Sequence, residues 1–150
     1  GEGQMNAINW ALETSYDFFK NCVPDLCIIE YGVNDFVCGM SETQFKENII
    51  KIVDIFLKLN KDCEFILIPA PFTNPLAEEF KECHYSHEAL YYELSNLIGN
   101  FCLTVPYTSI YQYLLTKKQF CDLTGNNINH PNDFLIRIMA QTVLGSLGII

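Results

Sequence analysis

The chain has 150 residues, 49% of them hydrophobic and 18% charged, with only 8 Gly and 6 Pro. That length fits one domain, and the composition excludes a disordered, collagen-like or low-complexity chain. Nine basic against eighteen acidic residues give a net charge of −9, which repels phosphate backbones and argues against a nucleic-acid partner. The unbroken apolar runs are a few residues long, so the sequence predicts no membrane span.

The seven cysteines (Cys22, Cys27, Cys38, Cys63, Cys83, Cys102 and Cys121) are odd in number and include no C-x-x-C pair. A domain of this size needs no disulfide framework, and a zinc ribbon or thioredoxin-like motif has no support. The expectation is buried, reduced thiols acting as small hydrophobes, which suits a cytoplasmic setting. Gly1 is not an initiator methionine, so the expected native start lies upstream.

In chain order, Met5, Ile8, Ala11, Leu12 and Phe19 recur near one face and predict a helix over 5–21, stopped at Pro24-Asp25. LCIIEY at 26–31 is apolar on both faces and predicts a buried parallel strand. Gly32 to Met40 reads as a loop. Ser41 with Gln44 three positions on has the spacing of a capping box. Phe45, Ile49, Ile52, Val53, Phe56 and Leu59 carry a helical period through Asn60. EFILIPA at 64–70 predicts a second buried strand, and Pro69, Pro71 and Pro75 then force a loop. HEALYYELSNLI at 87–98 predicts a helix closed by Gly99. A short strand over 101–105, a short helix over 108–116, a loop over 121–132 and a last helix over 133–147 complete the chain.

The order α-β-α-β-α-β-α implies parallel strands joined by right-handed helical crossovers, an open α/β sheet in one domain. Ligands of such sheets bind at the carboxyl ends of the strands. Two polar clusters suit that edge. Gly32-Val33-Asn34-Asp35 directly follows the first strand: glycine allows close backbone approach, and an Asn amide can donate to charge developing on an oxygen. The plainer reading is an ordinary turn, since Gly, Asn and Asp are turn formers. In the second cluster, NNINHPNDF at 126–134, His130 leads into the last helix. A neutral imidazole is the usual general base, Pro131 fixes the adjoining backbone, and Asn132 or Asp133 can cap the helix. The plainer reading is a capping loop with an incidental histidine.

In this order the two clusters resemble the third (G-x-N-D) and fifth (D-x-x-H, followed by Pro) blocks of the SGNH hydrolases, also called GDSL-type esterases and lipases. The resemblance implies a flavodoxin-like three-layer α/β/α sandwich with a parallel sheet. It implies a serine ester hydrolase acting on a small acyl ester, such as an O-acetyl group on a carbohydrate, with no cofactor and no metal. Carried over residue by residue, Asn34 donates to the oxyanion and His130 deprotonates the serine. Gly32 and Asp35 support Asn34. A glycine N–H completes the oxyanion hole, with Gly3 or Gly1 at about the right distance ahead of Gly32.

Two departures stand out. The chain has no Gly-Asp-Ser, and none of Ser15, Ser41, Ser86, Ser95, Ser109 and Ser146 follows a strand as the family's nucleophile does. The resemblance therefore implies the family's scaffold without its first strands, with the serine supplied by residues outside this chain. The acid position is Asn127, a neutral amide that can hold the imidazole tautomer and cannot balance an imidazolium. Orientation of His130 by Asn127, by a backbone carbonyl or by another carboxylate, Asp133 being nearest in sequence, stays open. The alternative is a non-catalytic α/β binding module on the same scaffold. Because the family's first strands lie beside 26–31, that strand is expected to be covered by the N-terminal half of the domain or by self-association.

Among weaker candidates, His84 and His87 have a spacing seen in metal sites and lack further ligands. Tyr107, Tyr111 and Tyr113 suit a sugar-binding rim or half-buried packing. Glu78, Glu79 and Glu82 read as a solvated helix face.

Overall fold

The structure is a computed structural model that describes residues 7–77, 87–99 and 101–150. His84 and His87, the acidic face at 78–82 and the glycines Gly1 and Gly3 fall outside it, apart from the backbone of His87. Among the described residues, the elements are α1 (Ala7–Phe19), β1 (Leu26–Ile29), α2 (Val33–Val37), α3 (Glu42–Leu59), β2 (Glu64–Leu67), α4 (His87–Ile98), β3 (Cys102–Thr104), α5 (Tyr107–Leu115), α6 (Phe120–Leu123) and α7 (Asp133–Ser146). No helix among them is long and apolar enough to cross a membrane.

The three strands form a parallel sheet in the order β1-β2-β3, with Ile28 opposite Ile66 and Ile66 opposite Leu103. Successive strand side chains point to opposite faces, and β2 shows both sides. Phe65 and Leu67 enter one core with Ile8 and Ala11 of α1, Phe45 and Ile49 of α3, and Tyr91 and Leu94 of α4. Ile66 and the following Ile68 enter a second core with Tyr107 and Tyr111 of α5, Leu123 of α6 and Leu135 of α7. The result is the expected α/β/α layering. α3 starts as its sequence predicts: the Ser41 hydroxyl accepts from the Gln44 N–H at 3.2 Å, and the Gln44 side chain accepts from the Ser41 N–H at 3.1 Å.

Three expectations about these elements need correction. The stretch 121–132 is not all loop, because α6 runs into it over Phe120–Leu123. β1 is parallel but not buried: its burial pattern is exposed, intermediate, exposed, buried. Cys27 and Ile29 join the first core, while Leu26 and Ile28 point to the second face and remain 44% and 55% exposed. Helices of the second layer cover β2 and leave that face of β1 open. The stretch 32–40 is not all loop, because α2 forms one short helical turn in it. The Asp35 carboxylate at its third position accepts the Gly32 N–H at 3.1 Å, which offsets the cost of starting so short a helix.

Among the described residues Cys22, Cys27, Cys63, Cys102 and Cys121 are free thiols, and the expectation that the cysteines are buried needs correction: Cys63 is buried, whereas Cys22, Cys38 and Cys121 are exposed. Burial pushes the Cys27 thiol up to about 12 and the Cys102 thiol up to about 11, which removes them from thiolate chemistry. Tyr107 and Tyr111 are fully buried and Tyr113 is 64% exposed, so the three tyrosines do not share a sugar-binding rim.

Phe65→Ala, which empties the centre of the first core, is expected to cost about 3–5 kcal/mol. Ser41→Ala is expected to cost about 1 kcal/mol through the lost cap. Urea unfolding midpoints at constant slope check both.

Candidate functional site

Gly32 turns the chain at the end of β1 with φ 135° and ψ −51°, a conformation that favours glycine. The buried carboxylate of Asp35 holds this turn from inside. One of its oxygens accepts the Gly32 N–H, and the other accepts the Ile8 N–H of α1 at 3.3 Å. Burial pushes the Asp35 carboxyl above the usual range, and the backbone N–H groups pull it back down. Across the turn, the Tyr91 hydroxyl donates to the Tyr31 carbonyl and ties the end of β1 to α4. Asn34, in the first turn of α2, is left exposed on the outer side.

His130 sits on a loop closed by its own asparagines. The Asn126 Oδ1 accepts the N–H groups of Ile128, Asn129 and His130 at 3.0 Å each. The Gly125 N–H donates to the His130 carbonyl at 2.9 Å, and Thr124 bridges Pro131. From the segment after β2, buried Asn74 clamps the loop: its Nδ2 donates to the Asn127 carbonyl at 2.8 Å and its N–H to the Ile128 carbonyl at 2.9 Å. Asn132 caps α7, accepting the Leu135 N–H at 3.1 Å while its Nδ2 donates to the Asp122 carbonyl at 2.9 Å.

These two supports bring the predicted residues to one place. A cleft of about 300 Å³ at the carboxyl end of the sheet is lined by Glu30, Tyr31, Gly32, Val33, Asn34, Asp35, Ala70, Pro71, Asn129 and His130. Asn34 and His130 thus face the same cavity from different elements, with His130 exposed at its rim. No serine is among the described lining residues. Ser15 instead lines a groove of about 240 Å³ between α1 and β1.

Asn127 does not stand where an orienting residue would. It adopts φ 56°, its carbonyl is held by Asn74, and among the described residues its amide makes no hydrogen bond to His130. Asp133 lies exposed in the first turn of α7, outside the lining. Sequence reasoning missed Asn74, Asn126 and Glu30. Asn126 carried a readable signal, since Asn side chains accept from backbone N–H groups two residues on. Asn74 carried none beyond its place after a strand.

Asp35→Ala leaves two backbone donors without an acceptor and is expected to destabilise the chain by about 1–3 kcal/mol. Gly32→Ala forces a side chain into the positive-φ region and is expected to cost about 1–3 kcal/mol. Chemical denaturation followed by circular dichroism measures both losses.

No protein-family model matches the chain, and no curated protein matches it. Among solved structures, the chain is similar to the crystal structure of LAE5, an α/β hydrolase enzyme from the metagenome of Lake Arreo, Spain. The likeness has a TM-score of 0.74 at 19% identity and covers 98% of this chain and 70% of that one. At that identity the likeness shows the fold: an α/β fold with a parallel sheet, shared with an α/β hydrolase.

Proposed function

We propose that this chain forms part of a serine ester hydrolase of SGNH type acting on a small acyl ester, with carbohydrate O-acetyl groups as the substrate class. The observation that carries the reading is the convergence of Asn34 and His130 on one cleft at the carboxyl end of the sheet. The fold shared with an α/β hydrolase supports it.

In this reading a serine hydroxyl attacks the acyl carbon, and His130 takes the hydroxyl proton as the carbon becomes tetrahedral. The Asn34 amide donates to the resulting oxyanion, with a glycine N–H from the segment ahead of α1 as second donor. Collapse expels the alcohol, protonated by His130. Water then attacks the acyl-enzyme by the same route and releases the acid. The sequence carries no Gly-Asp-Ser, so the serine comes from polypeptide outside this chain.

That polypeptide docks along β1. Leu26 and Ile28 are exposed there, and the neighbouring groove is walled by Trp10, Phe18, Phe19 and Ile28. The solved neighbour is longer, with 70% of it covered. A strand laid on this edge would cover apolar surface and satisfy the ladder together. A non-catalytic binding module is the second reading. It is favoured by the serine-free cleft and by an acid position, Asn127, without charge.

The expected result is no hydrolysis of p-nitrophenyl acetate by the chain alone. Turnover should appear when it is combined with a polypeptide carrying a strand followed by Gly-Asp-Ser. In that complex His130→Ala should abolish turnover, and Asn34→Ala should lower kcat by about 10²–10³. Binding of acetylated sugar without turnover by the complex would favour the module instead. Sedimentation of the chain alone distinguishes a β1 edge that awaits this polypeptide from one that pairs with a second copy.

A further inference from the structure

The imidazole of His130 needs a partner that the acid position does not supply. The carboxylates near the cleft can be sorted by what already holds them. Asp35 lines the cleft, but its oxygens are taken by the Ile8 and Gly32 N–H groups. Asp133 is outside the cleft wall. Among the described residues that line the cleft, Glu30 is the remaining one. It directly follows Ile29, which turns into the first core. It lines the same cleft as His130, and burial is the one influence on its carboxyl, with no hydrogen bond to it among the described residues.

We propose that Glu30 is the positioning residue of His130: its carboxylate accepts one ring N–H and balances the charge when the other ring nitrogen takes up the serine proton. The proposal rests on the reading of His130 as the general base. Glu30 keeps its own charge throughout and holds a tautomer, as the buried acid of a triad does. The difference is in where the acid comes from. It stands at the end of β1, beside the oxyanion donor, rather than three residues ahead of the histidine. Base orientation and oxyanion hole would then share one turn of chain, Glu30 to Asn34.

Glu30 is an exposed residue of the cleft wall. It keeps contact with solvent, yet desolvation pushes its carboxyl above the ordinary range. Its charge is also felt by Tyr107 of α5 and Tyr91 of α4, whose hydroxyls are pushed up chiefly by burial. With Tyr31, Asp35 and His130 in the cleft itself, these are the titratable groups that face it.

Carboxyl ¹³C titration of the full chain tests the pairing without any serine. A positively charged imidazole beside a carboxylate favours the carboxylate anion. His130→Gln is expected to raise the Glu30 midpoint by roughly half a unit or more, and Asp133→Asn should leave it in place. A Glu30 midpoint unmoved by His130→Gln, in a variant with native amide spectra, overturns the proposal. In the serine-complemented complex, Glu30→Gln should lower kcat by about tenfold to a hundredfold with KM unchanged, and Glu30→Asp should restore part of it. An equal loss in Glu30→Asp and Glu30→Gln, with KM rising in both, would overturn it as well. The two failures are distinguishable: no Glu30–His130 coupling sinks the positioning role alone, and coupling without turnover sinks the ester-hydrolase reading and the positioning role with it, leaving only a contact between the two side chains.

Discussion

The carboxylate of Asp35 is the contact on which the cleft depends. It reaches α1 through the Ile8 N–H and the strand-end turn through the Gly32 N–H, and so fixes two segments far apart in sequence with one buried group. Each bond satisfies a donor that a helix start or a tight turn would otherwise leave open. Desolvation works against the charge, and the two donors work for it. A neutral side chain of the same size could not accept from both directions. Asn34 is next to Asp35 in the chain, so the position of its amide is a by-product of how firmly Asp35 is held.

Much of the fold was legible in the sequence because the apolar spacing is regular. The helix read over 87–98 is α4, His87–Ile98, and Phe45, Ile49, Ile52, Val53 and Phe56 are all buried in α3 as their period required. What periodicity cannot report is whether an apolar face has a cover. LCII reads the same whether Leu26 and Ile28 lie under a helix or face water, and here they face water. The short helix α2 was hidden for another reason: its stability comes from one side-chain contact at Asp35, not from a pattern of residues.

The candidate site was legible in part for similar reasons. Asn34 and His130 could be chosen because each follows a chemical rule about where ligands meet a parallel sheet. Asn127 could not be placed, because a left-handed backbone conformation at a loop residue is a matter of closure, and closure depends on Asn74, which lies far away in the chain. Glu30 escaped notice because a lone carboxylate at a strand end carries no signature until the opposite wall of the cleft is known.

The two walls of the cleft belong to different cores. Asn34 rides on α2, whose Phe36 packs with α1, α3 and α4, whereas the loop of His130 is anchored between Leu123 and Leu135 on the other face of the sheet. The sheet and the Asn74 clamp join them. Loosening either core would let one wall drift relative to the other while most secondary structure persists. Alignment of amide and imidazole is therefore a finer gauge of sheet integrity than helix content, and it would be the first property lost on warming.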